Sequence, residues 1–230
     1  MKRDAVFYSS LIMAFSAGFA DTSTFTVADG LFSAHITGNF VVFAYKLSHH
    51  HTLSDFTNLI SFPVFILAVI LTRKVDRIYK SERKIFASIG FFLIIAGCIA
   101  FILKQNHIQT GFIYHFMLML IVFAMGIQNT ANRLYTNSTF GSTTVMTGNV
   151  TKALLDFFSY ISTQHTPEKL IELQKSLVLL TGFLLGCILG AWLSSVFGLV
   201  SMLIPAVLIL AYYIPLSKYS LFLKLISHKN

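Results

Sequence analysis

Apolar residues run in long blocks along this chain, and the polar residues that interrupt them recur twice in the same order. Apolar windows of about twenty residues, the length a helix needs to cross hydrocarbon, fall near 5–25, 56–73, 85–104, 111–129, 173–196 and 198–216. Two weaker stretches, near 30–48 and 143–162, are broken by Gly, Thr, Asn and charged residues. Each carries the tripeptide Thr-Gly-Asn, at 37–39 within HITGNF and at 147–149 within VMTGNV. The pattern predicts an all-α integral membrane protein with six transmembrane helices and two re-entrant or broken TGN-containing segments.

A second match ties the halves together. AFSAGFADT at 14–22 pairs with VFAMGIQNT at 122–130, which sets Gly18 against Gly126 and Asp21 against Asn129. The chain therefore reads as one membrane domain, 1–230, with repeat 1 over about 5–104 and repeat 2 over about 111–216. Three full crossings per repeat is an odd number, so the second repeat enters from the opposite side and the two are inverted repeats. The same match bears on the N-terminus, where MKR and an apolar run ending Gly18-Phe19-Ala20 imitate a secretory signal. A copy deep inside the chain identifies that run as a structural helix and not a cleaved leader.

Composition excludes a soluble fold: 55% of the 230 residues are apolar, 11% are charged, and the mean hydropathy is +0.73. The net charge of +8 would suit a nucleic-acid partner if it lay on a soluble face, but the basic residues flank apolar spans. With both TGN segments dipping in and returning, and with a cytoplasmic N-terminus, every Lys and Arg except Lys46 and Lys104 falls on the inner side. That distribution satisfies the positive-inside rule and predicts two cytoplasmic termini. Cys98 and Cys187 sit inside apolar runs without a CxxC or a His neighbour and read as small buried hydrophobes. His49, His50 and His51 read as a solvated loop, with no second ligand cluster, so neither a metal nor another cofactor is expected.

The candidate chemistry lies in the polar groups that hydrocarbon penalises. A TGN at the start of an apolar helix offers a capping side chain and free N–H groups at the positive end of the helix dipole, suited to an anion or a polar solute. The same tripeptide also serves simply to satisfy a buried helix start, since lipid offers the backbone no partner. Asp21 lies near the end of the first span, where a charge is costly unless it is partnered or wet, and its repeat counterpart is the neutral Asn129. Asp21, His35, Thr37, Asn39, Gln128, Asn129, Thr147 and Asn149 are the candidate substrate- or ion-binding residues, with His35 a proton partner for Asp21 and no metal ligand among them. Lys152 and Asp156 are spaced for an ion pair along one helix face, and Asp29-Gly30 marks a turn. Gly182, Gly186, Gly190, Ala191 and Ser194 permit close helix contact, inside the protomer by default or in a homo-oligomer.

At GFADTSTF, SAHITGNF, MGIQNTANR and TTVMTGN the chain resembles the YoaK-like family of bacterial multi-pass inner-membrane proteins, carried by a domain of unknown function, DUF1275. The shared pattern is a Gly-aromatic-x-Asp stretch, a His- or Asn-Met-Thr-Gly-Asn stretch and a Gly-x-Gln-Asn stretch in the second half. This chain departs from it with Ile36 where Met is usual and with Asn149 where the second motif is often looser. The resemblance implies a bacterial inner-membrane location and the positions of the motifs, and it implies no activity.

Function is then an expectation from the residues. A transporter or channel for a small polar solute or ion, with a site between inverted repeats and proton coupling through Asp21, fits them best. A non-transporting sensor or scaffold is the alternative. An intramembrane enzyme is a lesser one, because G-x-S-x-G, HExxH, a phosphate-binding Walker loop and a paired-Asp metal motif are all missing from the sequence, and no enzymatic activity is expected.

Overall fold

The computed structural model describes residues 2–49, 56–162 and 167–214. Among them the secondary structure is entirely helical: α1 (Lys2–Val27), α2 (Ile36–His49), α3 (Phe56–Tyr79), α4 (Glu82–Gln105), α5 (Phe112–Leu134), α6 (Met146–Ser162), α7 (Pro167–Phe197) and α8 (Leu203–Tyr213), with a 3-10 turn over Gly198–Met202 between the last two. Five stretches are long and apolar enough to cross a membrane: Ala5–Val27, Phe56–Tyr79, Glu82–Gln105, Phe112–Leu134 and Pro167–Tyr213. The last breaks at Gly198, whose φ of +65° is in the left-handed region that a residue with a Cβ resists. Tail residues Lys218, Lys224 and Lys229, together with His50 and His51, lie outside the described residues.

The helix ends define two faces. On the face where α1 begins, Ser9 meets the hydroxyl of Tyr213 at 2.6 Å and the Tyr135 hydroxyl donates to Asp76 Oδ1 at 2.5 Å. These bonds gather the start of α1, the end of α8, the end of α5 and the end of α3. On the opposite face the Tyr114 hydroxyl donates to Val27 O, Lys104 Nζ donates to Val196 O, and Thr57 pairs with His115. Lys46 is on this face too, donating to Asp29 just past the end of α1. The two basic residues that the sequence leaves apart from the rest thus share one face, opposite Arg73 and Arg133.

Helix pairs pack in a pattern that survives exchange of the halves. α1 packs on α7 as α5 packs on α3, α4 packs on α5 as α8 packs on α1, α2 packs on α3 as α6 packs on α7, and α4 meets α8 while α1 meets α5. The α1–α7 seam is close because Gly182, Gly186 and Gly190 let the backbones of Leu11, Phe15 and Phe19 approach. Gly126 admits Phe65 and Ala68 of α3 in the same way. The small residues of 182–194 are therefore spent inside the protomer. Outward, large apolar side chains such as Leu184, Ile188 and Trp192 are exposed, a surface that water would penalise and lipid would not.

Candidate functional site

Asp21 faces the turn that follows α1. The chain reverses through Asp29 and Gly30, with φ of 51° and 73°, so the predicted turn is present. It then runs back alongside the last turns of α1, and Asp21 Oδ1 accepts the N–H groups of Ala34 at 2.7 Å and His35 at 3.2 Å. Those amides belong to the two residues just before α2. The carboxylate therefore sits at the electropositive approach to the helix start, where the sequence pattern predicts a ligand. From that depth α2 climbs back to the face it left, where Lys46 Nζ, besides its bond to Asp29, donates to Asn58 Oδ1 at 3.0 Å.

Asn39 staples this hairpin shut. Its Oδ1 accepts from Phe32 N at 2.8 Å and from Asn58 Nδ2 at 3.2 Å, and its Nδ2 donates to Phe32 O and to Ser61 Oγ, both at 2.8 Å. Asn39 is fully buried and fully hydrogen-bonded, while Thr37 and the His35 side chain are exposed. A Cβ at Gly38 would stand 2.9 Å from the exposed His35 ring and 3.0 Å from the Phe32 ring, so a larger residue there would push those rings aside.

The second half repeats the staple and changes the chemistry. Asn149 Nδ2 donates to Ser142 O at 2.7 Å, seven residues back, as Asn39 does to Phe32 O. In the place of Asp21, the Asn129 amide donates to Thr144 Oγ1 at 2.8 Å. Gln128 Nε2 donates to Thr143 Oγ1 at 2.9 Å and across the halves to Met13 O at 2.8 Å, and Asn132 Nδ2 joins it on Thr143 at 2.6 Å. The carbonyl oxygens of Gln128 and Asn132 are buried and have no hydrogen-bond partner among the described residues. Unpaired buried acceptors are costly, and they suit a donor such as water, an ammonium or another cation. Thr147 is exposed, and Lys152 does pair with Asp156, at 3.2 Å, and also with Glu172.

Hydrogen bonding therefore sorts the eight predicted residues into two groups, one at each helix start, and no bond among the described residues joins the groups. Asp21 lies six residues before the end of α1 and Asn129 five residues before the end of the oppositely running α5. The two groups thus sit toward opposite faces. A cavity of about 530 Å³ opens on the face bearing Lys104, lined among others by Val27, Tyr114, Met117 and Val200, and none of the eight lines it. Sequence reasoning missed Asn58, Ser61, Asn132 and Thr143. Asn58 was visible as an amide within an apolar span, a placement that hydrocarbon does not tolerate without partners, whereas Asn132 lies three residues past the predicted span of 111–129.

Residues 9–214 match the family described as "Protein of unknown function (DUF1275)", and the chain belongs to that family. Neither a curated protein nor a solved structure matches the chain.

Proposed function

We propose that this DUF1275 protein is a small-solute or ion carrier of the bacterial inner membrane. It is built from two inverted repeats with six crossings, the sixth made by the 3-10 turn and α8, and with both termini cytoplasmic. The observation that carries the reading is the repeated staple, Asn39 to Phe32 O and Asn149 to Ser142 O, in helices that return to opposite faces. The packing pairs, which survive exchange of the halves, support the same symmetry. Broken helices of this kind form the solute sites of inverted-repeat transporters. The segregation of Lys46 and Lys104 from the other described basic residues supports the orientation.

The two elements take different parts. Asp21 is committed to the α2 start, and its protonation would loosen that turn, so it is the coupling group. The Gln128 and Asn132 amides hold unpaired acceptors, as the Ser16 and Ser33 hydroxyls do, and the clustering of the two amides on Thr143 favours binding of a donor-bearing solute or cation on the second-half element beside Asn129 and Asn149. The fully satisfied Asn39 favours a second reading, a rigid scaffold or sensor, for the first half alone. Among the described residues no cluster of three His, Cys, Asp or Glu could hold a metal. No residue is assigned a catalytic role.

Proteoliposomes carrying wild type, Asp21→Asn and Gln128→Leu test the proposal. They are screened for uptake of monovalent cations, small amines and neutral polyols under an imposed pH gradient. The expected result is uptake of at least one class, lost in Gln128→Leu and uncoupled from the gradient in Asp21→Asn. Equal retention in all three proteins, at the level of empty liposomes, would favour the scaffold.

A further inference from the structure

The two faces are closed to different degrees at places that exchange of the halves makes equivalent. On the face where α1 begins, the start of α1, the start of α4, the end of α5 and the end of α8 are tied together by aromatic and hydroxyl contacts. Phe86 is fully buried and stacks on Tyr213 with ring centroids 4.8 Å apart and planes 7° apart. The Tyr213 hydroxyl is 2.6 Å from Ser9 Oγ, and the Tyr212 hydroxyl donates to Ala5 O at 2.5 Å. Tyr135 flanks Phe86 with centroids 6.3 Å apart.

On the opposite face the other ends of the same four helices, joined by the end of α7 at residues 194–197, line the cavity of about 530 Å³: Val27 ends α1, Leu103 and Lys104 end α4, Tyr114 and Met117 begin α5, and Leu199 and Val200 lead into α8. Exchanging α1 with α5 and α4 with α8 maps the sealed quartet of ends onto the open one. Pseudo-equivalent surroundings in unlike states are what a two-state protein presents when one of its conformers is populated.

We infer that the aromatic seal and the cavity are the two gates of one alternating device, with this structure the conformer open on the Lys104 face. In the other conformer the Phe86–Tyr213 stack parts and the cavity around Val200 closes. The inference rests on the inverted-repeat carrier reading for its purpose, but its geometry can be tested without any solute.

In a protein with Cys98 and Cys187 replaced by Ala, Val200→Cys reports the cavity and Met13→Cys, one turn inward from Ser9, reports the sealed end. Each is labelled in membranes with a small impermeant maleimide applied to its own face. Tyr213→Phe removes the hydroxyl and keeps the stack, so it weakens the seal without endangering the fold. Val200→Cys is expected to label rapidly and Met13→Cys slowly. With Tyr213→Phe, Met13→Cys labelling should rise about fivefold, the worth of one buried hydrogen bond, and Val200→Cys labelling should fall. A rise at Met13 with Val200 unchanged is local fraying and overturns the inference, as does no change at either position. Absent reciprocity in a protein that still takes up solute would sink the gates and leave the carrier. Reciprocity in a protein that moves none of the screened solutes would do the reverse.

Discussion

Replacing Gly186 by Ala adds one methyl group at the tightest point of the α1–α7 seam. Its Cβ would stand 2.1 Å from Phe15 O, 2.9 Å from Phe15 C and 2.9 Å from Phe19 N, all backbone atoms that no rotamer change can move aside. A carbon rests no closer than about 3.3 Å to a carbonyl oxygen, so the helices must part by roughly 1 Å along the seam. Overpacking of this kind costs about 1–3 kcal/mol, and a rigid backbone neighbour places the cost near the upper end. At about 2–4 °C per kcal/mol for a chain of this size, the melting temperature should fall by about 6–12 °C. Gly148→Ala is the control: nothing lies within 4 Å of its Cβ, and Ala is the better helix former there. Both are compared in detergent by the loss of the monodisperse peak on size-exclusion chromatography after heating. Gly186→Ala melting within a degree of Gly148→Ala would show that the α1–α7 seam is not this close and would undo the packing argument.

Asn39→Ala strips four hydrogen bonds from a buried hairpin and leaves Phe32 N–H and C=O unpaired, so it should destabilise by about 2–4 kcal/mol in the same heating assay. Asp21→Asn mimics the protonated carboxyl, keeping an oxygen that can accept from Ala34 and His35 but losing the charge, so it should melt modestly below wild type, and Asp21→Ala, which removes the acceptor, further below. Burial and the hydrogen bond to Asp76 push the Tyr135 hydroxyl up to about 12 from an ordinary value of 10.0. The folded state then holds its proton where the unfolded state releases it, so stability from this group is complete below pH 10 and declines as pH rises toward 12. Tyr135→Phe should accordingly flatten the alkaline loss of stability between pH 10 and 12, measured as melting temperature against pH.

The spans were legible because hydrocarbon imposes length and apolarity together, and the TGN segments because their polar residues stand out between spans. Helix ends were less so. α7 begins at Pro167, not near 173, because Lys169, Glu172 and Lys175 continue a helix whose first turns carry charge, and hydropathy cannot see a polar turn. α2 begins at Ile36 and not near 30, and the Asp21 carboxylate of α1 holds Ala34 and His35 in the non-helical stretch before it, a contact made across 13 residues that hydropathy cannot see. The eight candidate residues were found one by one from their polarity. Their division into two groups was not, because the sequence gives the correspondence of Asp21 and Asn129 but not the depth at which two antiparallel helices set them.

The central claim, that the two TGN helices are inverted copies returning to opposite faces, is tested most directly by sided labelling of their far ends. Leu47 near the end of α2 and Ile161 near the end of α6 are each 49% exposed, so a Cys at either position in the cysteine-free protein is open to reagent. An impermeant maleimide is applied to intact cells and to inverted vesicles. Inverted repeats predict that Leu47→Cys reacts only from outside and Ile161→Cys only from the cytoplasmic side. Reaction of both positions from the same side would contradict the account.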